Sequence, residues 1–506
     1  MPTTGLPEIR IQNTLTGRKD IFAPRTPGKV SFYACGPTVY GYAHVGNAKT
    51  AVTMDLIRRV FEFAGYEVDM MRNITDIDDK IIKRANEEER PWTSVVEEFT
   101  KAYDDEMSAL GVRRPTHLPA ATGHVKAIMS MIQDLIDMGF AYPADTPFGT
   151  DVYFRVKHFE GYGKLSKRQI DDLVAGARIE PGEMKEDPLD FALWKSAKPG
   201  EPSWDREANP ANSWEGFDGW KHGAGRPGWH IECSAMIRAR YPEGIDIHGG
   251  GLDLVFPHHE NEIAQSEACT GHPLARYWVH SGLLVFGKEK MSKSLGNIVT
   301  AHDFLATYSP EVLRLMTTLQ HYRSPVDFAE ESILRAEGLL ERLYVCKQNA
   351  LAAGADAGAA IPSVGNAGEI EKKLRDALFD DFNTAKALGF VLQGARACFR
   401  ESKPELWATW GTAALPILAK AMGLLEREPT EALASLRAAR LKRMGVTEEF
   451  SRAIDAELAG REAARAAKNF AESDRIRNDL DARGIQVMDG PDGATWTLKA
   501  PLQGAK

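Results

Sequence analysis

Apolar positions in the first part of the chain predict a β-α-β unit. Val30, Phe32 and Ala34 occupy every second position, as in a strand, and the pattern stops at residues 35–37. A helical pattern with an apolar stripe begins near Gly46, and a second short strand pattern follows soon after it. This order predicts a parallel sheet with a right-handed crossover, whose ligands bind at the carboxyl ends of the strands.

The pattern changes further along the chain. Residues 116–225 are rich in Pro, Gly and Trp, which predicts an insertion between two halves of the sheet. Strand patterns return at 245–248 and 277–286, and helical periodicity dominates beyond them. We expect a basic helix at 461–480 and a short strand near 485–488.

Composition narrows the function classes. The chain of 506 residues has 62 Lys and Arg against 71 Asp and Glu, a net charge of −9. This balance argues against a protein that coats nucleic acid with its whole surface, but it allows one basic face. The five cysteines lack a Cys-x-x-Cys spacing, so we expect no disulfide framework and a cytoplasmic location. We expect no targeting segment and no membrane span, because the longest apolar stretch, 407–425, is interrupted by Pro416 and Lys420.

The first candidate group of functional residues, 37–47, lies at the predicted junction between strand and helix. A helix N-terminus offers free N–H groups and a positive dipole end to phosphate. His44 and Asn47 add side-chain donors at this point. An ordinary β-α turn with a surface histidine is the alternative.

The second group is the run Lys-Met-Ser-Lys-Ser-Leu-Gly-Asn at 290–297. The ammonium groups of Lys290 and Lys293 suit a loop that neutralises charge on a leaving pyrophosphate. A solvated basic loop is the alternative.

The third group could hold a metal ion. His258 and Glu262 are four positions apart, so on a helix they lie on one face and can share an ion. Cys35 and Cys233 supply thiols, but spacing alone does not bring such distant residues together. Buried structural cysteines are the alternative.

Longer segments around these groups match one family. Residues 44–47 correspond to the His-Ile-Gly-His motif of class I aminoacyl-tRNA synthetases, and 290–294 match their Lys-Met-Ser-Lys-Ser motif. The segments specific to one family are 33–40, 73–80, 228–234 and 246–262. On these motifs the chain closely resembles the cysteinyl-tRNA synthetases. Asn47 replaces the second histidine of the first motif and carries no charge, so phosphate contact is expected mainly from His44.

The resemblance implies an α/β fold. It consists of a Rossmann-like parallel-sheet catalytic domain with an inserted connective domain, a helical bundle and a small C-terminal anticodon-binding domain. The expected limits are 1–115 and 226–286 for the two catalytic halves, 116–225 for the insertion, 287–335 for the Lys-Met-Ser-Lys-Ser loop and stem-contact region, 336–430 for the bundle and 431–506 for the anticodon-binding region.

The resemblance also implies a two-step ligase reaction. L-Cysteine and ATP form cysteinyl-adenylate and pyrophosphate, and cysteine is then transferred to the 3′-terminal ribose of tRNA(Cys). His44, Lys290 and Lys293 are the expected catalytic residues, acting by positioning and charge stabilisation. The same three residues and Asn47 are expected to bind ATP together with Mg²⁺. We expect the enzyme to be a monomer.

A single Zn²⁺ per subunit is implied as well. The family's zinc ligands, carried over position by position, fall on Cys35, Cys233, His258 and Glu262. The substrate thiolate would complete the zinc coordination, which favours cysteine over serine because zinc binds thiolate sulfur far better than a hydroxyl.

Three further residues are expected to form the cysteine pocket. Thr75 and Asp253 would hold the substrate's ammonium group, and Trp229 would form an apolar wall, with a core aromatic as the alternative for Trp229. The histidines expected to orient the zinc ligands from a second layer are His230, His248 and His259.

Two other functions compete with tRNA charging. The catalytic half alone also resembles the cysteine ligase of mycothiol biosynthesis, which joins cysteine to an amino sugar without a tRNA-reading tail. A catalytically inactive zinc protein that binds RNA is the second competitor, and the intact motifs at His44 and 290–294 oppose it.

The last part of the chain favours the tRNA enzyme. Residues 471–477, 484–485 and 495–496 resemble the synthetases' anticodon-binding segment. Cations at Arg461, Arg465 and Lys468 recur at helical spacing, so they would lie on one face and hold tRNA phosphates, with a merely solvated helix as the alternative. Trp496 would stack on an unpaired anticodon base.

Overall fold

The structure is a computed structural model that describes residues 5–169, 184–204, 222–286, 289–290, 299–354, 358–490 and 493–498. The strands in these residues are β1 Arg10–Asn13, β2 Arg18–Ile21, β3 Lys29–Ala34, β4 Glu67–Arg72, β5 Ala141–Thr146, β6 Gly149–Phe154, β7 Phe191–Ser196, β8 Gly225–Pro227, β9 Ile245–Gly251, β10 Ala275–Ser281, β11 Leu284–Phe286, β12 Glu289–Lys290, β13 Val326–Asp327, β14 Ile485–Gly490 and β15 Gly493–Leu498. The α-helices are α1 Val45–Phe63, α2 Asp79–Glu87, α3 Trp92–Ala109, α4 Val125–Asp137, α5 Trp229–Arg240, α6 Glu260–Thr270, α7 Ala301–Thr307, α8 Pro310–Leu319, α9 Glu330–Ala353, α10 Ala367–Phe379, α11 Thr384–Glu401, α12 Pro404–Met422, α13 Pro429–Arg443, α14 Glu448–Ala466 and α15 Phe470–Ala482.

A four-stranded parallel sheet forms the base of the molecule. Its strand order is β10-β9-β3-β4, and β3 pairs in parallel with both β4 and β9. Helix α1 connects β3 to β4 and buries the predicted apolar stripe, so the β-α-β unit is confirmed. Cys35, the N-terminal turn of α1 and the glycines at the end of β9 therefore meet at the carboxyl edge of the sheet.

A second sheet interrupts the first in the sequence. Strands β5 to β8 form an antiparallel sheet between β4 and β9 of the chain, with α4 packed beside it. Its core is separate from that of the parallel sheet and includes Trp194, which is fully buried. The predicted insertion is confirmed, while the domain limits stay predictions.

Three elements differ from the sequence-based expectation. The strand expected at 277–286 is divided, because the chain leaves the parallel sheet at Gly282 and β11 pairs with β12 and β13 instead. The three glycines at 249–251 still belong to β9. The basic helix expected at 461–480 is two helices, because the chain turns between α14 and α15, with a positive φ of 58° at Lys468.

Helices dominate the second half of the chain, as predicted. Helices α8 to α12 share a continuous apolar core with the parallel sheet and with α1. Helices α14 and α15 and the hairpin β14–β15 have a core of their own. Among the described residues, no helix combines the length and apolar character that a bilayer crossing requires.

A buried charge network joins α1 to the helical half. Asp55 on α1 is 1% exposed, and its carboxylate accepts hydrogen bonds from Arg59 Nε and Arg314 Nη2, both at 2.8 Å. The guanidinium of Arg314 also donates to the carbonyls of Leu110 and Met422, at 3.0 and 3.2 Å. Burial alone would raise the pKa of Asp55, but Arg314 and Arg59 outweigh it and hold that pKa below its usual value.

Loss of this carboxylate should destabilise the protein strongly. Asp55→Ala leaves the buried guanidinium of Arg314 without its anion and leaves Arg59 with Glu426 alone, so we expect the free energy of unfolding to fall by about 3–5 kcal/mol. Because the folded pKa of Asp55 is depressed, this contribution is present above its unfolded pKa of about 3.9 and is lost as the pH falls through the folded value.

Urea unfolding at pH 7 and at a series of acidic pH values measures both effects. Asp105→Ala is the matched control, because Asp105 forms an exposed pair with Lys101 and its loss should cost less than about 1 kcal/mol. Equal stability changes for the two variants would contradict a structural role for the network.

Candidate active site and metal centre

A cavity of about 430 Å³ opens at the carboxyl edge of the parallel sheet. The predicted site residues that line it are Cys35, His44, Asn47, Trp229 and Asp253. Residues from both catalytic halves of the chain thus meet in one pocket, as the β-α-β topology requires.

His44 is the N-cap of α1. Its Nδ1 accepts the backbone N–H of Asn47 at 3.1 Å, which leaves the neutral ring with its proton on Nε2. The flanking backbone is fixed by two hydrogen bonds, from Val45 N to Val299 O at 3.0 Å and from Ala301 N to Ala43 O at 2.7 Å. These bonds join the N-terminal turn of α1 to the segment that follows the lysine loop, the run at 290–297 that contains Lys290 and Lys293.

The structure covers only part of the lysine loop. Lys290 ends the two-residue strand β12, where it lies opposite Val285 of β11. Lys293 lies outside the described residues, so the predicted contacts of both lysines with ATP stay predictions. Asn47 is half-buried at the cavity wall, and its role likewise stays a prediction.

Three separate elements bring the four predicted metal ligands together. Cys35 follows β3, Cys233 lies on α5, His258 lies in the turn before α6, and Glu262 lies in the first turn of α6. Their donor atoms are all within 4.8 Å of one another. Cys233, His258 and Glu262 are buried and Cys35 is partly exposed to the cavity.

The spacing of these donors fits zinc. Sγ of Cys35 is 4.0 Å from Sγ of Cys233 and 3.5 Å from Oε1 of Glu262. Nε2 of His258 is 3.7 Å from Sγ of Cys233 and 3.0 Å from Oε1 of Glu262. Tetrahedral zinc with sulfur at about 2.3 Å and nitrogen or oxygen at about 2.0–2.2 Å separates its ligands by about 3.3–3.8 Å. Two thiols, one imidazole and one carboxylate are also ligands that zinc prefers.

Neighbouring groups lower the pKa of two of the four candidate ligands, which favours their anionic forms. A hydrogen bond from Cys35 lowers the pKa of Cys233 to about 6, despite burial, which favours a thiolate. Burial would raise the pKa of Glu262, but His248 and His258 hold it well below its usual value. Burial raises the pKa of Cys35. The cluster thus holds anionic charge at Cys233 and Glu262 inside the protein.

A layer of histidines lies behind the four donors, as predicted. Nδ1 of His230 is 3.0 Å from Nδ1 of His258, and Nε2 of His248 is 2.8 Å from Oε2 of Glu262. Nε2 of His259 is 3.3 Å from Sγ of Cys35. Each predicted histidine therefore contacts a different candidate ligand.

Two members of this layer were missed by the sequence analysis. His280 lies 2.8 Å from His259, and burial lowers the pKa of His280 to about 3, so its ring is neutral. Trp278 stacks on His248 at 4.4 Å between ring centres. Trp278 and His280 are two positions apart on β10. Their place in a strand that pairs in parallel with β9 is the signal that could have identified them.

A second group of four donors overlaps the first. Cys35, His248, His259 and Glu262 also lie within 4.8 Å of one another. This alternative group lacks Cys233, whose lowered pKa makes it the better ligand.

The predicted cysteine pocket is partly assembled. Trp229 is 38% exposed and stacks on His258 with 4.3 Å between ring centres, so it is a cavity wall and not a core aromatic. Asp253 is exposed at the same cavity. Thr75 is buried behind it, where its hydroxyl donates to Glu232 and accepts from Asn73, both at 3.2 Å.

Glu232 was not identified from the sequence. It has no exposed surface, burial raises its pKa well above the usual value, and its carboxyl group lies against the hydroxyl of Thr75. The sequence assigns the neighbouring Cys233 to the metal site. The hydrogen bond between Glu232 and Thr75 is visible only in the structure.

The predicted tRNA face in the C-terminal region requires correction. Lys468 does not share a helix face with Arg461 and Arg465, because α14 ends at Ala466. Arg461 is 3% exposed and is held by both carboxylate oxygens of Asp489, at 2.6 and 3.0 Å. Arg465 also donates to Asp489, at 3.1 Å, but its side chain stays half-exposed.

Trp496 has a packing role in this structure. It is 1% exposed in the core of the C-terminal unit, and its indole N–H donates to Asp455 at 2.7 Å. Among the described aromatic residues of the C-terminal region, Phe470 is presented to solvent, with 62% of its surface exposed at the start of α15. An apolar ring at the first helical position after the turn is the signal that could have identified it.

Comparison with known proteins agrees with this geometry. Residues 21–338 match the family described as the class I (C) tRNA synthetase catalytic domain, and residues 447–496 match the cysteinyl-tRNA ligase anticodon binding domain. The cysteine–tRNA ligase of Syntrophotalea carbinolica is 45% identical to this chain over 504 residues, which cover 97% of this chain and 100% of that protein. The cysteine–tRNA ligase of Ectopseudomonas mendocina is 47% identical over 491 residues, with 97% and 99% covered.

Solved structures share the fold at low sequence identity. The methionyl-tRNA synthetase of Mycobacterium tuberculosis, in complex with methionyl-adenylate, is similar with a TM-score of 0.58 and 14% identity, over 83% of this chain and 94% of that one. The leucyl enzyme of Agrobacterium radiobacter, in a ternary complex, is similar with a TM-score of 0.57 and 11% identity, over 82% and 86%. The α/β class I fold is thereby confirmed, and on the family matches and the near full-length relatives the chain belongs to the cysteinyl-tRNA synthetase family.

Proposed function

We propose that the protein is a cysteine–tRNA ligase that activates L-cysteine with ATP and charges tRNA(Cys) in the cytoplasm. The observation that carries the proposal is one cavity lined both by the capped N-terminus of α1 and by Cys35, which belongs to a largely buried set of two thiols, an imidazole and a carboxylate. The first feature suits a phosphate and the second a metal-bound thiolate.

The first step joins cysteine to AMP. The cysteine carboxylate attacks the α-phosphate of Mg²⁺-bound ATP, and pyrophosphate leaves. His44, with its proton on Nε2, would donate to the phosphate side, and Lys290 and Lys293 would neutralise the departing pyrophosphate. No protein nucleophile is needed, because positioning and charge stabilisation carry the step.

Selectivity for cysteine is assigned to a zinc ion held by Cys35, Cys233, His258 and Glu262. When bound, the ion would coordinate the substrate's thiolate, which serine cannot supply. Trp229 would form the wall beside the side chain of cysteine. Asp253 and the hydroxyl of Thr75 would hold its ammonium group.

In the second step, tRNA(Cys) would contact both the catalytic cavity and the C-terminal region. The terminal ribose hydroxyl of tRNA(Cys) attacks the carbonyl carbon of the adenylate, and AMP leaves. We assign anticodon contact to the exposed side chains of Arg465 and Phe470, since a cation suits a phosphate and an apolar ring suits an unpaired base. This proposal keeps Arg465 of the set expected from the sequence and replaces Arg461, Lys468 and Trp496.

Cysteine-dependent exchange of pyrophosphate into ATP tests the activation step. We expect exchange with cysteine, weak exchange with serine, and one zinc per chain in the same preparation. Charging of tRNA(Cys), with an amino sugar as the competing acceptor, then tests the second step. Exchange that is absent from zinc-replete protein would exclude the enzyme, and transfer to the sugar alone would make it the other cysteine ligase.

Cys233→Ser should remove zinc and cysteine selectivity together. A hydroxyl is a much poorer zinc ligand than a thiolate, so we expect zinc affinity to fall more than about 100-fold, beyond the 10- to 100-fold typical of second-layer changes. Metal analysis and exchange with cysteine and serine measure the effect. Cys269→Ser is the matched control, because Cys269 is buried outside the cluster. Zinc retained at one per chain would remove Cys233 from the ligand set.

Phe470→Ala should weaken tRNA binding without harming the fold. Loss of one stacked base costs about 1–3 kcal/mol, so we expect KM for tRNA(Cys) to rise about 5- to 150-fold while pyrophosphate exchange is unchanged. Trp496→Ala should instead lower the unfolding temperature of the C-terminal unit, because a buried indole is lost. Unchanged tRNA kinetics in a folded Phe470→Ala protein would refute the anticodon assignment.

A further inference from the structure

A buried ammonium group joins α1 to the segment that follows β10. Lys49 is 1% exposed, and its Nζ donates to Ser281 Oγ at 2.9 Å, to Gly282 O at 2.6 Å and to Tyr322 O at 3.4 Å. The three donors of the ammonium thus meet three neutral oxygen acceptors. No hydrogen bond or ion pair joins Nζ to a carboxylate in the part of the chain that the structure describes.

Burial of a cation without an anion is costly. Desolvation of one charged group costs several kcal/mol in a protein interior, and burial lowers the pKa of Lys49 to about 7. An apolar side chain of similar length would fill the same space without this cost. The role of the ammonium group therefore concerns the segment whose oxygen atoms accept its hydrogen bonds.

The held segment is where the chain leaves the parallel sheet. Gly282 follows β10, donates its N–H to Tyr322 O at 2.8 Å, and leads into β11 and the lysine loop. A Cβ at this position would lie 2.4 Å from the carbonyl oxygen of Ser324, so the backbone is closely packed from behind. The ammonium and the packing together fix the course of residues 282–284.

Residues next to both ends of this hydrogen-bonded tie line the cavity. Gly282, Leu283 and Leu284 contribute to its lining on one side of the tie, and Gly46 and Asn47 of α1 contribute on the other. The cysteine half of the cavity, with Cys35 and Trp229, has no contact with the ammonium of Lys49 among the hydrogen bonds of the described residues. The tie therefore acts on the part of the cavity left for the nucleotide.

We propose that Lys49 is a positioning residue that sets the gap between the N-terminal turn of α1 and the 282–284 wall, and with it the affinity for ATP. This role rests on the proposed ligase function. The apolar Leu283 and Leu284 line the same cavity as a helix N-terminus, a combination that suits a flat base beside a phosphate chain. A wall held by three hydrogen bonds keeps that gap when ATP is absent.

Lys49→Met tests the role, because it keeps the unbranched apolar stem as far as Cε and removes the ammonium group. We expect KM for ATP in pyrophosphate exchange to rise about tenfold or more, since small displacements of a site are costly. KM for cysteine should stay within about twofold, and zinc should stay at one per chain. The unfolding temperature should change little, because removal of the buried charge offsets the loss of a donor to the carbonyl of Gly282. Lys49→Arg should retain most of the ATP affinity.

Two further variants make the result decisive. Ser281→Ala removes one acceptor of the ammonium and should raise KM for ATP by a smaller factor, about threefold. Arg58→Met removes a cation from the far end of α1, where Arg58 pairs with Glu62, and should change neither KM.

The proposal fails on either of two results. One is a parallel loss of ATP affinity, cysteine affinity and zinc in Lys49→Met, which would mean general structural damage. The other is an unchanged KM for ATP in Lys49→Met or, if that protein does not fold, in Ser281→Ala. A wild type that itself lacks exchange activity would overturn the proposed function and the role of Lys49 with it, whereas normal wild-type exchange beside an unchanged KM in the variants overturns the role of Lys49 alone.

Discussion

The candidate metal centre depends on a carboxylate that water does not reach. Glu262 has no exposed surface, yet its neighbours hold its pKa well below the usual value, so it stays charged. A buried anion needs hydrogen-bond donors or cations around it, and His248 and His258 supply them on separate oxygens. The histidine layer behind the ligands is the consequence, since each ring that compensates Glu262 must itself be packed and held.

The same requirement explains how distant segments are forced together. Cys35, Cys233 and Glu262 come from elements that are far apart in the chain, and a cluster of buried polar groups is stable only when all its members are present. The parallel sheet provides the frame, because its strands end at one edge. The ligand spacing then follows from the packing of α5 and α6 against that edge, not from any local sequence pattern.

The sequence predicted those features that depend on local pattern or on motif. Strand periodicity identified the β-α-β unit, and the motif segments identified the four donors that the structure brings within reach of one ion. It did not predict the division of the strand at Gly282, because that break is imposed by Tyr322 and Ser324, which lie far along the chain. His280 and Glu232 were missed for a similar reason, since their roles are defined by neighbours across the sheet.

Errors in the C-terminal region have a different physical origin. Helical spacing predicts that Arg461 and Lys468 share a face, but the spacing rule holds only while the helix continues, and the left-handed residue at 468 lies beyond its end. An aromatic residue in a match to an RNA-binding segment is equally compatible with a core position. Burial separates these cases, and it assigns Trp496 to packing and Phe470 to the surface.

Helix α1 is the element on which these parts meet. His44 caps its N-terminus at the nucleotide side, Lys49 ties it to the wall that leads into the lysine loop, and Asp55 ties it to the helical half through Arg314. The three attachments are polar, and all but the first are buried. Hydrogen bonds and ion pairs have preferred directions, whereas apolar contacts tolerate small shifts. The polar contacts of α1 therefore define its position more narrowly than its hydrophobic stripe does. Two of these ties place a charge in the interior, and a protein that must hold two substrates in register gains position from charges that stability alone would not favour.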